Sequence, residues 1–320
     1  MIYFVSSTIE RDANHRLWFT SIPQALSDNS ASKAYIHPHD LSEQLSKSNE
    51  SSAKIIVMYK DMVALQCLIS LFLQKQKRLI IGVIASDIYD LSIYQKWLAY
   101  ASFFIAPSPE HAAILQSFST KDIYVVEETI DPVIDQIKPC LQNKFDGWLS
   151  WIGYPESFNK GMTHLMPVIQ SCVEQNYIKG LKIITTGINQ KLPEWIKYTP
   201  YKTNDVASLL SESSLGILSH FQYDLHINSQ IKTDNKALLF LALGIVPIVS
   251  NTPSYSRLYK TLGLDRFLFN GPKDLFHLIA RISSAPVRLE TNERHAIANL
   301  LDSRSPQSTA KKIENIFSLY

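Results

Sequence analysis

The stretch Lys232-Thr-Asp-Asn-Lys-Ala-Leu-Leu-Phe-Leu-Ala-Leu-Gly-Ile-Val-Pro-Ile-Val-Ser250 decides how this chain folds. Its polar start offers helix-capping side chains, and the apolar residues that follow predict a buried helix, Asn235–Leu243. Gly244 suits the left-handed conformation that ends a helix. Pro247 lies near the start of a short apolar run that predicts a buried strand, Ile245–Ser250. A buried helix followed closely by a buried strand is typical of a parallel α/β sheet.

The same alternation of apolar runs and amphipathic stretches extends along most of the chain. Strands are predicted at Ile2–Ser6, Lys33–Ile36, Lys54–Tyr59, Arg78–Ala85, Phe103–Ala106, Ile123–Val126, Trp148–Ile152, Lys182–Thr186, Leu215–Ser219, Ile245–Ser250 and Arg266–Phe269. Helices are predicted between them, among them Gly161–Asn176, and the last is Pro306–Leu319. Strands that are apolar throughout are typical of a parallel sheet covered on both faces, with right-handed crossovers.

The alternation lapses between Asp131 and Asp146, where prolines and polar residues predict a linker. A chain of 320 residues also exceeds what one hydrophobic core usually serves. The sequence therefore predicts an α/β protein with two Rossmann-like, doubly wound domains that face each other across a cleft. The predicted bounds are residues 1–143 and 144–303, followed by a helical segment in 304–320.

The composition excludes several classes of protein. A net charge of +2 is too small to indicate nucleic-acid binding. The three cysteines have no metal-ligand spacing, so they predict reduced thiols rather than disulfides or a zinc site. No apolar stretch reaches the roughly 20 residues of a membrane span, and residues 1–7 do not form a signal peptide. We therefore expect a cytoplasmic protein without a metal or cofactor. Contact with the inner face of a membrane and a homo- or hetero-oligomer are left open.

A polar loop, Gly153-Tyr-Pro-Glu-Ser-Phe-Asn-Lys-Gly161, follows a predicted strand. We expect Lys160 to open the helix Gly161–Asn176. A lysine at a helix N-terminus is unfavourable unless an anion binds there as well, in which case the helix amides and the ammonium act together. The alternative interpretation is a solvated lysine in the loop.

Lys232 and Lys236 flank the start of a wholly apolar helix. A phosphate group would explain why two lysines lie at this position, because lysine binds phosphate as a flexible point charge. For Gly244 and Pro247 the alternative interpretation is that they only end the helix and begin the strand.

Polar side chains also follow other predicted strands. The segment Ser219-His-Phe-Gln-Tyr-Asp-Leu-His226 offers groups that fit sugar hydroxyls, and its histidines, six residues apart, do not suit a metal ion. In the first domain, Lys60, Asp87 and Asp90 follow strands and are candidates for catalytic assistance. The alternative for the aspartates is a role in turns and helix caps.

In order and spacing, these segments resemble the donor domain of GT-B glycosyltransferases of the GT4-like type. The matching residues are Gly153, Lys160-Gly161, Gly187, Ser219, Asn235-Lys236 and Ala242 to Ser250. Phe104 to His111 and Val125 to Pro132 resemble the last strands of that family's N-terminal domain. The resemblance runs from about Phe103 to Gly263. It implies a retaining, metal-independent transfer of a sugar from a nucleotide-sugar donor, with Lys160 on the donor diphosphate. It also implies that the final helix packs back on the first domain.

The predicted site follows from this resemblance and from the residues themselves. We predict donor binding by Gly153, Tyr154, Lys160, Gly187, Ser219, His220, Lys232, Thr233, Asn235 and Lys236, and catalytic roles for Asp87, Lys160 and Lys236.

The sequence departs from the family at two places. The family usually has an arginine directly after the glycine of its first motif, and here that residue is Tyr154. It also often has two glutamates eight residues apart, and here these positions hold Ile231 and Leu239. Our hypothesis is that Lys232 or Lys236 replaces the missing arginine.

Three functions remain open on the sequence alone. The first is a glycosyltransferase that acts on a glycan, lipid or protein acceptor. The second is a non-catalytic GT-B subunit that binds a partner or a glycan, which the missing arginine and glutamates favour. The third is another enzyme with two Rossmann-like domains, such as a nucleotide-sugar epimerase or a phosphorylase.

Overall fold

The computed structural model describes the chain except residues 8–14, 28–34, 75–76, 87–90, 132–133, 135–144, 188–191, 203–204, 212, 221–229 and 286–287. The chain forms two compact units. The first contains Met1–Pro132 together with Asp302–Tyr320, and the second contains Val133–Leu301. Both are α/β units built on a parallel sheet. The predicted linker falls largely outside the described residues.

The first unit alternates strands and helices as the sequence predicts. Its strands are β1 (Ile2–Val5), β2 (Ser52–Met58), β3 (Arg78–Ile84), β4 (Phe103–Ala106) and β5 (Asp122–Val125). A π-helix (Arg16–Ser21) leads into α1 (Ile22–Ser27), and the other helices are α2 (Pro38–Lys47), α3 (Met62–Gln74), α4 (Leu91–Leu98), α5 (Pro109–Gln116) and the last helix of the chain, Pro306–Phe317.

The first sheet is parallel throughout, in the order β1-β2-β3-β4-β5. Ile36 forms an isolated parallel bridge with Val5, on the side of β1 away from β2. The chain therefore passes outward from β1 to Ile36 and then returns to the other side of β1. Such a reversal of strand order is the point where doubly wound sheets bind ligands.

The last helix packs on the core of the first unit. Phe317 contacts the ring of Phe103 edge to face, with ring centroids 5.2 Å apart, and Ile313 is fully buried in the same cluster. The carbonyl oxygen of Arg304 accepts hydrogen bonds from the Ile130 amide at 2.9 Å and the Thr129 hydroxyl at 2.8 Å. These contacts attach the C-terminal segment to the first unit through apolar burial and backbone hydrogen bonds.

The second unit has six strands: β6 (Trp148–Ile152), β7 (Gly180–Thr185), β8 (Ile196–Pro200), β9 (Leu215–Leu218), β10 (Pro247–Ser250) and β11 (Leu268–Phe269). Its helices are α6 (Pro155–Gly161), α7 (Met166–Glu174), α8 (Val206–Ser211), α9 (Asn235–Ala242), α10 (Pro253–Leu262), α11 (Pro272–Ser284) and α12 (Thr291–Ser303), which ends in the first unit. The last helix of the chain is therefore α13.

The second sheet is also parallel, in the order β11-β10-β9-β6-β7-β8. From β6 the chain moves outward through β7 to β8, and then returns to β9 on the opposite side of β6. This is the strand order of a Rossmann-like domain, with its switch point between β6 and β9. The loops that leave these two strands begin at Gly153 and Ser219.

Three local predictions differ from the structure. Of the predicted strand Lys33–Ile36, the structure describes Tyr35 and Ile36, and only Ile36 of these two pairs with β1, in an isolated bridge. The predicted helix Gly161–Asn176 begins later, because α6 ends at Gly161, a short 3-10 turn follows, and α7 starts at Met166 ahead of Pro167. Strand β8 was not predicted, since it is an edge strand without buried residues and lacks an apolar run.

Gly244 adopts a φ of 77°, so the predicted left-handed helix stop is confirmed. Pro247 is the first residue of the fully buried strand β10, also as predicted. Over the described residues, no helix is long and apolar enough to cross a membrane.

Candidate functional site

The carboxyl edge of the second sheet gathers most of the predicted donor residues. β6, β9 and β10 are neighbours, and they end just before Gly153, Ser219 and Asn251. The backbone amide of His220 donates to the Ser250 hydroxyl at 3.0 Å, which ties the ends of β9 and β10 together. The chain thus builds this edge from loops that are far apart in sequence.

Gly161 sets how closely α6 approaches this edge. A side chain at Gly161 would collide with the backbone carbonyl of Ser219, so only glycine allows the observed contact. The end of α6 therefore lies directly against the loop that leaves β9. The contact joins Gly161 to Ser219, two residues that match the same family pattern in the sequence, whereas donor binding by Gly153 and Ser219 stays a prediction.

Lys236 lies against Gly153. A methyl group on Gly153 would lie 2.7 Å from Lys236 Nζ and 2.8 Å from the Trp151 ring. The ammonium sits 5.2 Å from the centre of the Trp151 ring, in cation–π geometry. Trp151 is itself buried and packs edge to face on Phe158. Glycine at position 153 therefore provides the space that the Lys236 ammonium occupies.

The environment of Lys236 disfavours its charge. Burial lowers the pKa of Lys236 to about 7, and repulsion from Lys232 adds to this shift. Among the described residues, no carboxylate forms an ion pair with Lys236. Lys236 is also the second residue of α9, where the positive end of the helix dipole opposes a cation. Asp234 is the one carboxylate between Lys232 and Lys236 in the sequence, so this segment carries a net positive charge when both lysines are protonated.

His220 forms a buried pair with Tyr255. The two rings stack with centroids 4.5 Å apart, and the Tyr255 hydroxyl lies 3.0 Å from His220 Nε2. Burial lowers the pKa of His220 well below its usual value, and Lys232 and Lys236 lower it further. Burial likewise raises the pKa of Tyr255. Both side chains are therefore neutral at physiological pH.

The segment before α9 is held in place by its backbone. The Ser254 hydroxyl donates to the carbonyl oxygen of Lys232. Asp234 occupies the N-cap position of α9 without a side-chain capping hydrogen bond, and Asn235 is the first residue of the helix. Lys232 and Thr233 are half-buried beside them. Asp234 therefore takes the cap position but does not make the capping hydrogen bond.

Polar atoms without a partner mark the same edge. Within the part of the chain that the structure describes, His220 Nδ1, Thr185 Oγ1 and Thr252 Oγ1 are buried and make no hydrogen bond. Thr185 ends β7, and the other two follow β9 and β10 by two residues. Buried polar groups normally have partners, so such groups indicate a place for a ligand or water.

Lys160 is not where the sequence predicted it. It lies in the last turn of α6 and is exposed, so it does not open a long helix, and the expected help from helix amides is absent at this residue. Tyr154 is 51% exposed at the start of α6. Gly187, two residues after β7, has open space where a side chain would be.

Three candidates for catalytic assistance, Lys60, Asp87 and Asp90, come from the first unit. Asp87 and Asp90 lie outside the described residues, as do Gln222, Asp224 and His226 of the second unit. Lys60 is exposed.

Sequence reasoning missed Trp151, Tyr255 and the hydroxyl of Ser250. Their positions at the end of a strand or the start of a helix were a usable signal, but aromatic side chains at such positions more often belong to the hydrophobic core.

Among the described residues, no group of three or more His, Cys, Asp or Glu side chains is placed to hold a metal ion.

The architecture of the chain was compared with that of known proteins. No family model matches the chain, and no curated protein matches it. The chain is similar in structure to the pneumococcal O-GlcNAc transferase GtfA in complex with UDP and GlcNAc, with a TM-score of 0.61 and 11% identity over 87% of this chain and 59% of that one.

It is also similar to WaaG, a glycosyltransferase involved in lipopolysaccharide biosynthesis, with a TM-score of 0.60 and 11% identity over 98% and 99% of the two chains. A third similar structure is a UDP-N-acetylglucosamine 2-epimerase of Listeria monocytogenes, with a TM-score of 0.53 and 11% identity over 98% and 94%. The chain spans about three fifths of the length of GtfA. Its fold is that of the GT-B glycosyltransferases, as the sequence predicted.

Proposed function

We propose that this chain is a glycosyltransferase that moves a sugar from a nucleotide-sugar donor to a glycan, lipid or protein acceptor. The observation that carries the proposal is the enclosed ammonium of Lys236, held against Gly153 at the switch point of the second sheet. A cation in the first turn of a helix, without a carboxylate partner, is stabilised when an anion binds. The diphosphate of a nucleotide sugar supplies that anion.

The same arrangement supports the chemistry of sugar transfer. Negative charge develops on the diphosphate as the bond from the sugar to its terminal oxygen breaks. Lys236, Lys232 and the first amides of α9 would stabilise this charge, so the proposal needs no metal ion. Lys236 thereby takes the place of the arginine that Tyr154 replaces. Retention of configuration and the cytoplasmic location belong to the proposal as well, and they rest on the family resemblance and on the cysteine pattern of the sequence, which predicts reduced thiols.

Lys160 and Asp87 keep their predicted roles in this proposal. Lys160 is exposed, so its side chain has the freedom to reach a donor phosphate. Asp87 follows β3 in the sequence, and the proposal assigns to it the activation of the acceptor hydroxyl.

Nucleotide binding tests the donor site directly. We expect one of UDP, GDP, CMP or ADP to raise the thermal midpoint in the presence of EDTA, since a ligand at one hundred times its Kd adds about 2.7 kcal/mol. Lys236→Met removes the cation and should abolish the shift. Lys197→Met is the matched control, because Lys197 also lies over a tryptophan ring, 4.1 Å from that of Trp148, but on the edge strand β8.

Sugar transfer tests the reaction. Incubation with the matching sugar nucleotides and an acceptor extract should release the nucleoside diphosphate and give a product with the donor's anomeric configuration by NMR. No thermal shift with any nucleotide would contradict the donor site. Conversion of the donor to its epimer without acceptor would replace transfer by the epimerase alternative.

A further inference from the structure

The imidazole of His220 is buried, and only one of its two ring nitrogens has a hydrogen-bond partner among the described residues. It is 8% exposed, its Nε2 faces the Tyr255 hydroxyl at 3.0 Å, and its Nδ1 has no hydrogen-bond partner among the described residues. A neutral imidazole carries one proton, on one of these two nitrogens. Which nitrogen carries it decides whether the unpaired atom is a donor or an acceptor.

Tyr255 decides this question by its own hydrogen bonding. In the part of the chain that the structure describes, His220 Nε2 is the only hydrogen-bond partner of the Tyr255 hydroxyl. If Nε2 carried the proton, it would donate to the phenol oxygen, and the phenol proton and the Nδ1 lone pair would both be buried without a partner, whereas the other tautomer leaves only the Nδ1–H group unpaired among the described residues. A buried donor without a partner costs about 1–3 kcal/mol. If the hydroxyl donates to Nε2, the phenol proton is used and the imidazole proton lies on Nδ1.

The surroundings keep this arrangement neutral. Burial, Lys232 and Lys236 lower the pKa of His220, so the second nitrogen does not take up a proton at neutral pH. The Nδ1–H group is therefore a third donor in a site whose two lysines act electrostatically on His220. These three side chains have no carboxylate partner among the described residues. A set of donors without an acceptor fits an anion that brings several oxygens.

We propose that Tyr255 is a positioning residue that fixes His220 as its Nδ1–H tautomer, and that this N–H donates to an oxygen of the diphosphate bound by Lys232 and Lys236. This inference rests on the proposed function, and it adds a neutral hydrogen-bond donor, the imidazole of His220, to the proposed donor site. A neutral N–H satisfies a phosphate oxygen without adding a third charge to a site where two cations already repel each other.

Nitrogen NMR of the full chain labelled with ¹⁵N-histidine measures the tautomer without any assumption about the reaction. At pH 6.5, where Lys236 is mostly charged, we expect His220 Nδ1 to be protonated and Nε2 not, and we expect inorganic pyrophosphate to shift the Nδ1 resonance. Tyr255→Phe should move part of the proton to Nε2 and weaken pyrophosphate binding about tenfold, the lower end of the loss for a hydrogen bond to a charged group.

Tyr259→Phe is the matched control. Tyr259 is buried one turn further along α10, but its hydroxyl donates to the Pro247 carbonyl at 2.6 Å and does not touch His220. This variant should keep the Nδ1–H tautomer and the affinity. If Tyr255→Phe fails to fold, two substitutions of His220 give the same test. His220→Asn places an amide donor near the Nδ1 position and should bind about tenfold more tightly than His220→Gln, whose amide lies near Nε2.

The results separate this inference from the proposed function. A proton on Nε2 in the wild type, or pyrophosphate binding that leaves the Nδ1 resonance unmoved, overturns the inference even if sugar transfer is observed. An Nδ1–H group that responds to pyrophosphate supports the inference even if no sugar is transferred, and in that case the glycosyltransferase proposal alone fails.

Discussion

Replacing Lys236 by methionine should make the free protein more stable while abolishing its anion binding. Methionine keeps an unbranched apolar side chain beside Trp151 but removes the buried charge. A site kept for a ligand commonly lowers the stability of the free protein, so a variant that gains stability and loses binding is expected there. The direction and size of the gain follow from the pKa of Lys236.

The size is set by the shift of that pKa from 10.5 to about 7. Each pKa unit corresponds to 1.36 kcal/mol, so the charged form loses roughly 5 kcal/mol on folding. The lost cation–π contact with Trp151 offsets about 1–2 kcal/mol of the gain, and water around the half-buried side chain reduces it further. We expect a net gain of about 2 kcal/mol at pH 6.5, which is about 5 °C for a unit of this size.

The gain should shrink as the pH rises. Below pH 7, Lys236 is charged in the folded and the unfolded chain, so its penalty is fully present. Between pH 7 and 10.5, the unfolded chain holds a proton that the folded chain has released, so the stability of the wild type rises with pH. The methionine variant lacks this group. Its advantage should therefore fall by up to about 1.4 kcal/mol per pH unit and nearly vanish by pH 8.5.

Thermal melts at pH 6.5, 7.5 and 8.5, followed by tryptophan fluorescence, measure both effects. Lys197→Met serves as the control, because Lys197 is exposed and its replacement should change the midpoint little at any of these pH values. A Lys236→Met protein that is less stable than the wild type at pH 6.5 would refute the reasoning. So would an advantage that grows with pH, since the buried charge would then not be its source.

Two further predictions concern the same edge of the second sheet. Above pH 7, binding of a nucleoside diphosphate should weaken by up to about tenfold per pH unit, because Lys236 must take up a proton when the anion binds. Calorimetry in two buffers of different ionisation enthalpy would detect this proton uptake. A Kd that does not change with pH would contradict the prediction. Gly161→Ala should destabilise the protein by about 1–3 kcal/mol in urea unfolding, because the added methyl group meets the Ser219 carbonyl. Gly187→Ala is the control and should change the stability little, because the space at that position is open. Equal effects of the two substitutions would rule out this contact.

Much of the fold could be predicted from the sequence because it depends on local patterns. The apolar runs at Phe103–Ala106 and Trp148–Ile152 are strands at the predicted bounds. Gly244 ends its helix as predicted because few residues adopt its left-handed conformation at low cost. The edge strand β8 was missed since its side chains are not buried, so no burial pattern is imposed on its sequence.

The site was harder to predict because its contacts join distant parts of the chain. Nothing near Gly153 in the sequence indicates that its missing side chain makes room for the ammonium of Lys236. The pairing of His220 with Tyr255 likewise depends on the packing of α10 beside the end of β9. Lys160 was misplaced for a local reason, since Pro155 begins a helix earlier than the glycine motif suggested and leaves the lysine at the end of that helix.

The two departures from the family pattern have a common electrostatic consequence. Ile231 and Leu239 stand where the family often has glutamates, and a carboxylate at either end of this segment would lower the local positive potential around Lys236. With apolar residues there, no carboxylate at these two positions offsets the repulsion between Lys232 and Lys236, which adds to the effect of burial in lowering the pKa of Lys236. The loss of the arginine at Tyr154 therefore does not leave the site without cations. It leaves two lysines, Lys232 and Lys236, and under the proposed function their charge is compensated better by the adjacent phosphates of a diphosphate than by a monophosphate.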